Sequence, residues 1–233
     1  MTKELQCFYI LHTRAYRDTS LLLTCLTETE GLISLVAKGV KRPGSAMKAI
    51  LQPFIPLIGH WQGRGEMQTL FQAERASNNM LIRGEKIFSG LYINELLTNV
   101  LHAHDPCPLV FEAYHMLLQA CLTEKALRFF EKRLLTELGY GLDLRRDVTF
   151  SSEKSYYFHP EMGCLELEKH SAYRNTSQIL FTGESLLAIA EDRLDSAVFL
   201  KDAKRLMRLA FEHLLQGKVL KSRLLYQHLK EIA

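Results

Sequence analysis

Cysteine is sparse in this chain and never occurs in close pairs. The five cysteines are Cys7, Cys25, Cys107, Cys121 and Cys164, and no C-x-x-C spacing is present. An odd number of widely separated thiols argues against a disulfide framework and against a cysteine-based zinc site. We therefore expect buried thiols that behave as small hydrophobic side chains.

Long apolar runs and targeting signals are also lacking. No stretch approaches the ~20 apolar residues that a membrane span needs, and Met1-Thr2-Lys3-Glu4 leads into no apolar signal region. The 233 residues are 47% hydrophobic and 24% charged, which is typical of a globular protein with one or two domains. These features predict a cytoplasmic location and no membrane contact.

The signatures of common catalytic sites are missing as well. The sequence contains no P-loop, no G-x-G-x-x-G, no H-E-x-x-H and no G-x-S-x-G. Glu28 and Glu30 are paired carboxylates, which we interpret as a solvated hairpin tip. His159, Glu161 and Cys164 lie near one turn and could ligate zinc, but no cysteine pair accompanies them. We expect a protein that is not an enzyme and that uses no metal and no cofactor.

The small net charge of +3 hides an uneven distribution. Residues 1–80 carry 9 Lys and Arg against 6 Asp and Glu, and residues 201–233 carry 8 against 3. Residues 81–200 carry 12 Lys and Arg against 17 Asp and Glu. Two basic ends around an acidic middle favour a polyanionic partner at the ends, although solvated surface charge alone would give the same pattern.

The hydrophobic pattern predicts an α+β protein. Five short apolar runs separated by glycine turns indicate a five-stranded OB-fold barrel in residues 1–80; they cover 5–13, 21–27, 32–37, 54–61 and 67–73. From about residue 85 the apolar period becomes helical. Residues 81–233 are therefore predicted to form a mainly helical domain with a small β-hairpin insertion at about 148–182.

Basic side chains fall on the predicted strand ends and loops of the barrel, and residues 38–48 form a basic loop without an acid. OB-folds hold single strands with cations on phosphates and aromatic rings under bases. Tyr9, Tyr16, Phe54, Trp61 and Phe71 are the aromatic candidates; most should be core, and Tyr16 is the best placed. The predicted nucleic-acid-binding residues, which the resemblance described below assigns to DNA, are Arg14, Tyr16, Arg17, Lys38, Lys41, Arg42, Lys48 and Arg64.

Six segments, in order, carry a resemblance to a known family. They are Gly31 with Ala37-Lys38-Gly39, Leu51-Gln52-Pro53-Phe54, Leu91-Tyr92-Ile93-Asn94-Glu95-Leu96, Leu127-Arg128 with Phe130-Glu131, Leu138-Gly139-Tyr140-Gly141, and Leu220-Lys221-Ser222-Arg223. Through these segments the chain resembles the RecO family along nearly its whole length.

The resemblance implies a DNA repair and recombination mediator. Such a protein binds single- and double-stranded DNA, anneals complementary strands and helps to load the recombinase onto gaps, together with RecR. The resemblance also implies a second partner, the single-stranded-DNA-binding protein, whose acidic and apolar C-terminal tail docks on the helical domain. Some relatives carry four zinc-binding cysteines after the Leu-Gly-Tyr segment, and these are absent here.

An acidic, apolar tail requires cations beside an apolar pocket. Arg128 and Lys132 are four residues apart and so share a face of the predicted third helix. Phe129 lies beside them and Tyr140 follows the predicted cap at Gly139, so these four residues are the predicted partner-binding site. Surface ion pairs within the same region are the alternative interpretation.

Other function classes remain open at the level of the residues. An RNA-binding OB-fold protein would need the same cations, because phosphates are common to both polymers. A non-catalytic interaction adaptor would carry the basic face without using it.

We predict that the purified protein contains no stoichiometric zinc, because the sequence lacks a complete set of ligands. Elemental analysis is the measurement, and a chelator should leave the melting temperature unchanged. About one zinc per chain would contradict the prediction and point to His159, Glu161 and Cys164.

Overall fold

The computed structural model describes residues 5–63, 65–77, 82–140, 150–169 and 179–232. The chain divides into two compact units. Unit 1 comprises Met1–Leu122 with Val219–Ala233, and unit 2 comprises Thr123–Lys218. The domain boundary placed after residue 80 on the sequence stays a prediction.

A closed five-stranded barrel forms the first part of unit 1. The strand order is β1-β2-β3-β5-β4, and β4 pairs back onto β1. β3 and β5 are parallel, while the other pairs are antiparallel. This architecture confirms the predicted OB-fold within an α+β protein. The strands are β1 (Gln6–Tyr16), β2 (Ser20–Thr27), β3 (Gly31–Ala37), β4 (Pro56–Gln62) and β5 (Met67–Arg75).

Alternation along the strands fills the barrel with apolar side chains, among them Phe8, Leu23, Leu35 and Trp61. The β2–β3 turn makes side-chain contacts with β4 and β5. Glu30 accepts hydrogen bonds from Trp61 Nε1 at 2.8 Å and from Gln68 Nε2 at 3.0 Å. The interpretation of Glu30 as part of a solvated hairpin tip was therefore wrong, because its carboxylate joins β2–β3 to β4 and β5.

Helices cover the outer face of the first two strands. α2 (Lys86–Val100) packs against β1, and α3 (Pro108–Gln119) packs against β2. Tyr9, which points out of the barrel, is 1% exposed and hydrogen-bonds His115 Nδ1 at 2.6 Å. Its ring meets Tyr114 edge to face, with the ring centroids 5.0 Å apart. Burial of the Tyr9 hydroxyl raises its pKa far above the usual range.

The last helix, α7 (Lys221–Ile232), joins unit 1 through Glu95 of α2. The Glu95 carboxylate accepts hydrogen bonds from the backbone N–H groups of Lys221 and Ser222, each at 2.8 Å, and from Ser222 Oγ at 2.6 Å. Burial alone would raise the pKa of Glu95, but these hydrogen bonds outweigh it and the pKa is lowered. Glu95 thus serves as the N-terminal cap of α7.

The described residues of unit 2 form three helices and a small sheet. The helices are α4 (Glu124–Glu137), α5 (Gly183–Ala190) and α6 (Ala197–Leu214). The sheet has the order β7-β6-β8, formed by β6 (Ser155–His159), β7 (Gly163–Glu166) and β8 (Leu180–Thr182). The predicted hairpin is present, and β8, which the sequence pattern did not reveal, adds a third strand. Within the predicted insertion, residues 148–149 and 170–178 lie outside the described residues.

The cysteines depart from the sequence-based expectation. Cys25 is buried in the barrel, but Cys7 is exposed and the other three are partly exposed. The expectation that the thiols are buried was therefore wrong for four of the five, because apolar neighbours in sequence do not fix which face a side chain takes.

Replacing Asn94 with Ala should destabilise unit 1. Asn94 is 3% exposed; its Nδ2 donates to Leu11 O at 2.9 Å, and its Oδ1 accepts from Tyr114 Oη at 2.7 Å. The change leaves two buried polar groups each short of one hydrogen bond, which costs roughly 2–4 kcal/mol of unfolding free energy. Urea denaturation measures the loss.

The matched control is Asn99→Ala, because Asn99 is exposed and its amide bonds only Glu95 O within the same helix. This control should change the unfolding free energy by less than about 0.5 kcal/mol. Equal losses for the two variants would contradict the role given to Asn94.

Candidate nucleic-acid interface

The end of β1 and the β1–β2 turn carry three of the predicted binding residues. Arg14 and Arg17 are exposed, and Tyr16, the last residue of β1, is half-buried. Arg17 has a φ of +50°, a left-handed conformation that a tight turn imposes on it. Its guanidinium carbon lies 5.3 Å from the centroid of the Tyr16 ring, which is within the range of a cation–π contact. The cation is thus held beside the ring.

The basic loop after β3 meets that turn. Lys41 donates its backbone N–H to Thr19 O at 2.9 Å, and Arg42 donates to Gly39 O at 3.1 Å. The strand register places Ala15 opposite Leu21 and Leu21 opposite Ala37, so both loops leave the same end of the barrel. The structure therefore brings together Arg14, Tyr16, Arg17, Lys38, Lys41 and Arg42, six of the eight predicted residues.

Lys48 and Arg64 stand apart from this group. Lys48 lies on the short helix α1 (Met47–Ile50), which packs against β5. Arg64 lies outside the described residues. The cations Arg14, Arg17, Lys38, Lys41, Arg42 and Lys48 are all exposed, and none is in a salt bridge with another residue that the structure describes. Their charge therefore faces solvent, where an anion can reach it.

The aromatic candidates divide between core and surface. Tyr9 and Trp61 are buried, at 1% and 7% exposure. Phe54 is half-buried, and its ring fills the space that a side chain at Gly90 would need. Phe71 is 56% exposed on β5, where its ring lies beside His60. No local pattern separates Phe71 from the core aromatics, because strand pairing decides which face of β5 points into the barrel.

The two cations of the predicted partner site on α4 are less accessible than the sequence analysis predicted. Arg128 is 6% exposed, and its Nη1 lies 3.1 Å from Glu131 Oε2, which is itself buried. Lys132 Nζ donates to Ile189 O, Ala190 O and Asp192 Oδ1, at the end of α5. These two cations thus serve contacts inside unit 2, and the expectation of two surface cations was wrong for Arg128.

The other two residues of that site keep some surface. Phe129 is half-buried beneath Lys125, whose Nζ lies 5.6 Å from the ring centroid. Tyr140 is 47% exposed and follows Gly139, which has a φ of +78°. The hydrogen bonds from Tyr140 N–H to Leu135 O and from Gly139 N–H to Thr136 O form the Schellman ending expected at that glycine. The docking role of the four residues stays a prediction.

The residues weighed for zinc do not converge. The β6–β7 register pairs His159 with Gly163 and Phe158 with Cys164, so the side chains of His159 and Cys164 point to opposite faces of the hairpin. Across the described residues there is no group of three or more His, Cys, Asp or Glu that could hold a metal. Among the described helices, none has the length and apolar character needed to cross a membrane.

Comparison with known proteins decides the family. The model for "Recombination protein O N terminal" matches residues 1–78, and that for "Recombination protein O C terminal" matches residues 83–224. The chain belongs to the RecO family. It is 39% identical to the DNA repair protein RecO of Methylococcus capsulatus over 94% of this chain and 91% of that protein. The RecO proteins of Photobacterium profundum (39%; 95% of each chain) and Coxiella burnetii (38%; 96% and 98%) are similar relatives.

The segments that resemble the RecO family mainly make the contacts that hold the elements of each unit together. A Cβ on Gly31 would lie 1.9 Å from Asp105 O, so only glycine allows the chain after α2 to approach β3 this closely. Glu95 binds the Lys221-Ser222 segment, and Arg223 lies over the ring of Tyr92 at 5.1 Å. Within the RecO fold these residues therefore build the scaffold, and most of the exposed cations of the barrel lie outside the resembling segments, Lys38 being an exception.

The buried ion pair Arg128–Glu131, in another of these segments, gives a prediction for unit 2. Arg128→Met should lower the unfolding free energy by about 3–5 kcal/mol, because Glu131 stays buried without its cation. Thermal or urea unfolding of the full chain measures the loss.

Arg133→Met is the control, since Arg133 pairs with Glu137 at the surface in the same helix. An exposed pair of this kind contributes less than about 1 kcal/mol. If the two variants were equally stable, the Arg128–Glu131 pair would not support the fold.

Proposed function

We propose that this chain is a non-catalytic recombination mediator that binds single- and double-stranded DNA through one end of its barrel. The observation that carries the proposal is the hydrogen bond from Lys41 N–H to Thr19 O, which holds the basic loop against the β1–β2 turn. The proposed DNA-contacting residues at this end are Arg14, Tyr16, Arg17, Lys38, Lys41 and Arg42, which we call the basic barrel end. Lys48 and Arg64 are further candidates outside it.

The chemistry of the basic barrel end fits a phosphate backbone. Its cations are exposed and come from loops, so they can follow a flexible or a duplex polymer without reading base edges. Binding through phosphates is independent of sequence and releases counterions. This matches a protein that must act wherever a gap occurs, in the cytoplasm on chromosomal DNA.

The wider role follows from the family. We propose that the chain anneals complementary strands and, with RecR, helps to load the recombinase onto gaps coated by single-stranded-DNA-binding protein. The relatives' name, DNA repair protein RecO, supports this role. Docking of the coat protein's acidic tail on unit 2 is part of the proposal. Tyr140, at 47% exposure, offers more surface to such a tail than the buried Arg128 does.

Replacing Lys38, Lys41 and Arg42 together with Ala should weaken binding to single and double strands of any sequence. Each lost phosphate contact reduces the magnitude of the slope of log affinity against log salt by about 0.7 on single strands. The magnitude of the slope should therefore be about 2 smaller for the triple variant. The same variant should anneal complementary strands more slowly. A salt titration by fluorescence anisotropy and a strand-annealing assay measure the two effects.

The matched control removes three cations from another surface, through Lys201, Lys204 and Arg208 of α6, which are exposed. Both triple variants change the net charge equally, so a general charge effect would move them together. A wild-type salt slope in the Lys38/Lys41/Arg42 variant would remove the loop from the DNA-binding site.

A further inference from the structure

Phe71 is an exposed aromatic ring at an irregular point of the barrel wall. Leu70 pairs with Trp61 and Gln72 pairs with His60, so Phe71 is the extra residue of a β-bulge between them. Bulges redirect side chains and are common at barrel rims and beside binding sites. Leu70 is in the barrel core, whereas Phe71 is 56% exposed. Neighbouring residues of a strand point to opposite faces, so the ring of Phe71 points away from the core.

His60 supports the ring from the neighbouring strand. The two ring centroids are 6.2 Å apart and the ring planes are inclined by 33°. The two rings are tilted relative to each other, at a separation where aromatic pairs attract each other. Phe71 is thus an exposed ring with an aromatic neighbour on the adjacent strand.

The parallel pairing of β3 with β5 brings this ring to the basic barrel end. Ala37, the last residue of β3, pairs with Leu70, so Lys38 and Phe71 each come directly after a paired residue of neighbouring strands. Both are exposed. The helix α1, which carries Lys48, also packs against β5. An exposed ring on a strand that adjoins two cation-bearing segments suits single strands, which are held with phosphates on cations and bases on rings.

We propose that Phe71, backed by His60, is a stacking platform for an unpaired base of single-stranded DNA at the edge of the basic barrel end. This inference rests on the proposed DNA-binding function and adds the group that distinguishes single strands from duplex. In a duplex both faces of each base are already stacked on neighbours, so the ring gains little there. In a single strand the ring replaces a missing neighbour.

The test uses the full chain with Phe71→Ala and Met67→Ala. Met67 is a matched control, because it lies on the same strand and is 51% exposed. The probes are an oligothymidylate, an abasic strand of the same length and a duplex. Phe71→Ala should lower the affinity for oligothymidylate about tenfold, which is within the effect of one stacked base. It should leave the abasic strand, the duplex and the salt slope as in wild type.

Two further variants separate stacking from apolar contact. Phe71→Trp keeps a flat ring and should retain binding, whereas Phe71→Leu keeps apolar volume and should behave like Phe71→Ala. If Phe71→Leu binds oligothymidylate as wild type does, or if Phe71→Ala matches Met67→Ala, the platform is refuted. Equal losses on the oligothymidylate and the abasic strand would refute it as well.

A measurement on the wild-type chain needs no variant. Photocrosslinking with an oligonucleotide that carries 5-iododeoxyuridine should label the peptide that contains Phe71, and a crosslink confined to Tyr16 would overturn the assignment. Failure of the stacking platform at Phe71 is distinguishable from failure of the proposed DNA-binding function. The salt slope of the Lys38/Lys41/Arg42 variant reports on the basic barrel end whatever Phe71 does.

Discussion

Strand β1 buries side chains on both of its faces, and the arrangement of unit 1 depends on this. Phe8 and Ile10 point into the barrel, while Tyr9 and Leu11 point outward and are nevertheless 1% and 2% exposed. Strand geometry forces the two sets to alternate, so the barrel cannot close without presenting an apolar outer face. The helices α2 and α3 cover that face, and Asn94 satisfies the carbonyl of Leu11 between them.

This covering restricts where the barrel can meet a ligand. OB-folds commonly use the outer face of the second and third strands with the adjoining loops. Here α3 packs on β2, and the segment after α2 approaches β3 at Leu32, whose carbonyl accepts a hydrogen bond from His104 N–H. Among the described residues of the barrel, the loops that follow β1 and β3 and much of β5 stay exposed. The exposed cations and the exposed ring of Phe71 lie in these two places.

The features that the sequence predicted correctly are those with a short-range cause. The change from period two to period 3.6 near residue 85 marks the first long helix, and Gly139 ends α4 because glycine tolerates a positive φ. The features that it missed depend on long-range pairing. Arg128 and Lys132 do lie four residues apart. However, Lys132 binds the end of α5, which is far away in sequence, and Arg128 is buried in an ion pair with Glu131. The bulge at Phe71 depends on strand register, which no local pattern encodes.

The proposed strand annealing places two opposing demands on a binding surface, and under the proposed function the cations and the Phe71 ring meet them separately. A strand must be held strongly enough to be kept from its own secondary structure, yet its Watson–Crick edges must remain accessible to the complement. Cations on phosphates and a ring on a base face both leave those edges open. Once the bases pair and stack on each other, the ring loses its ligand while the cations keep theirs. Under the proposed function the affinity for the product therefore falls without any conformational change, and the residual phosphate contacts decide how slowly the duplex leaves.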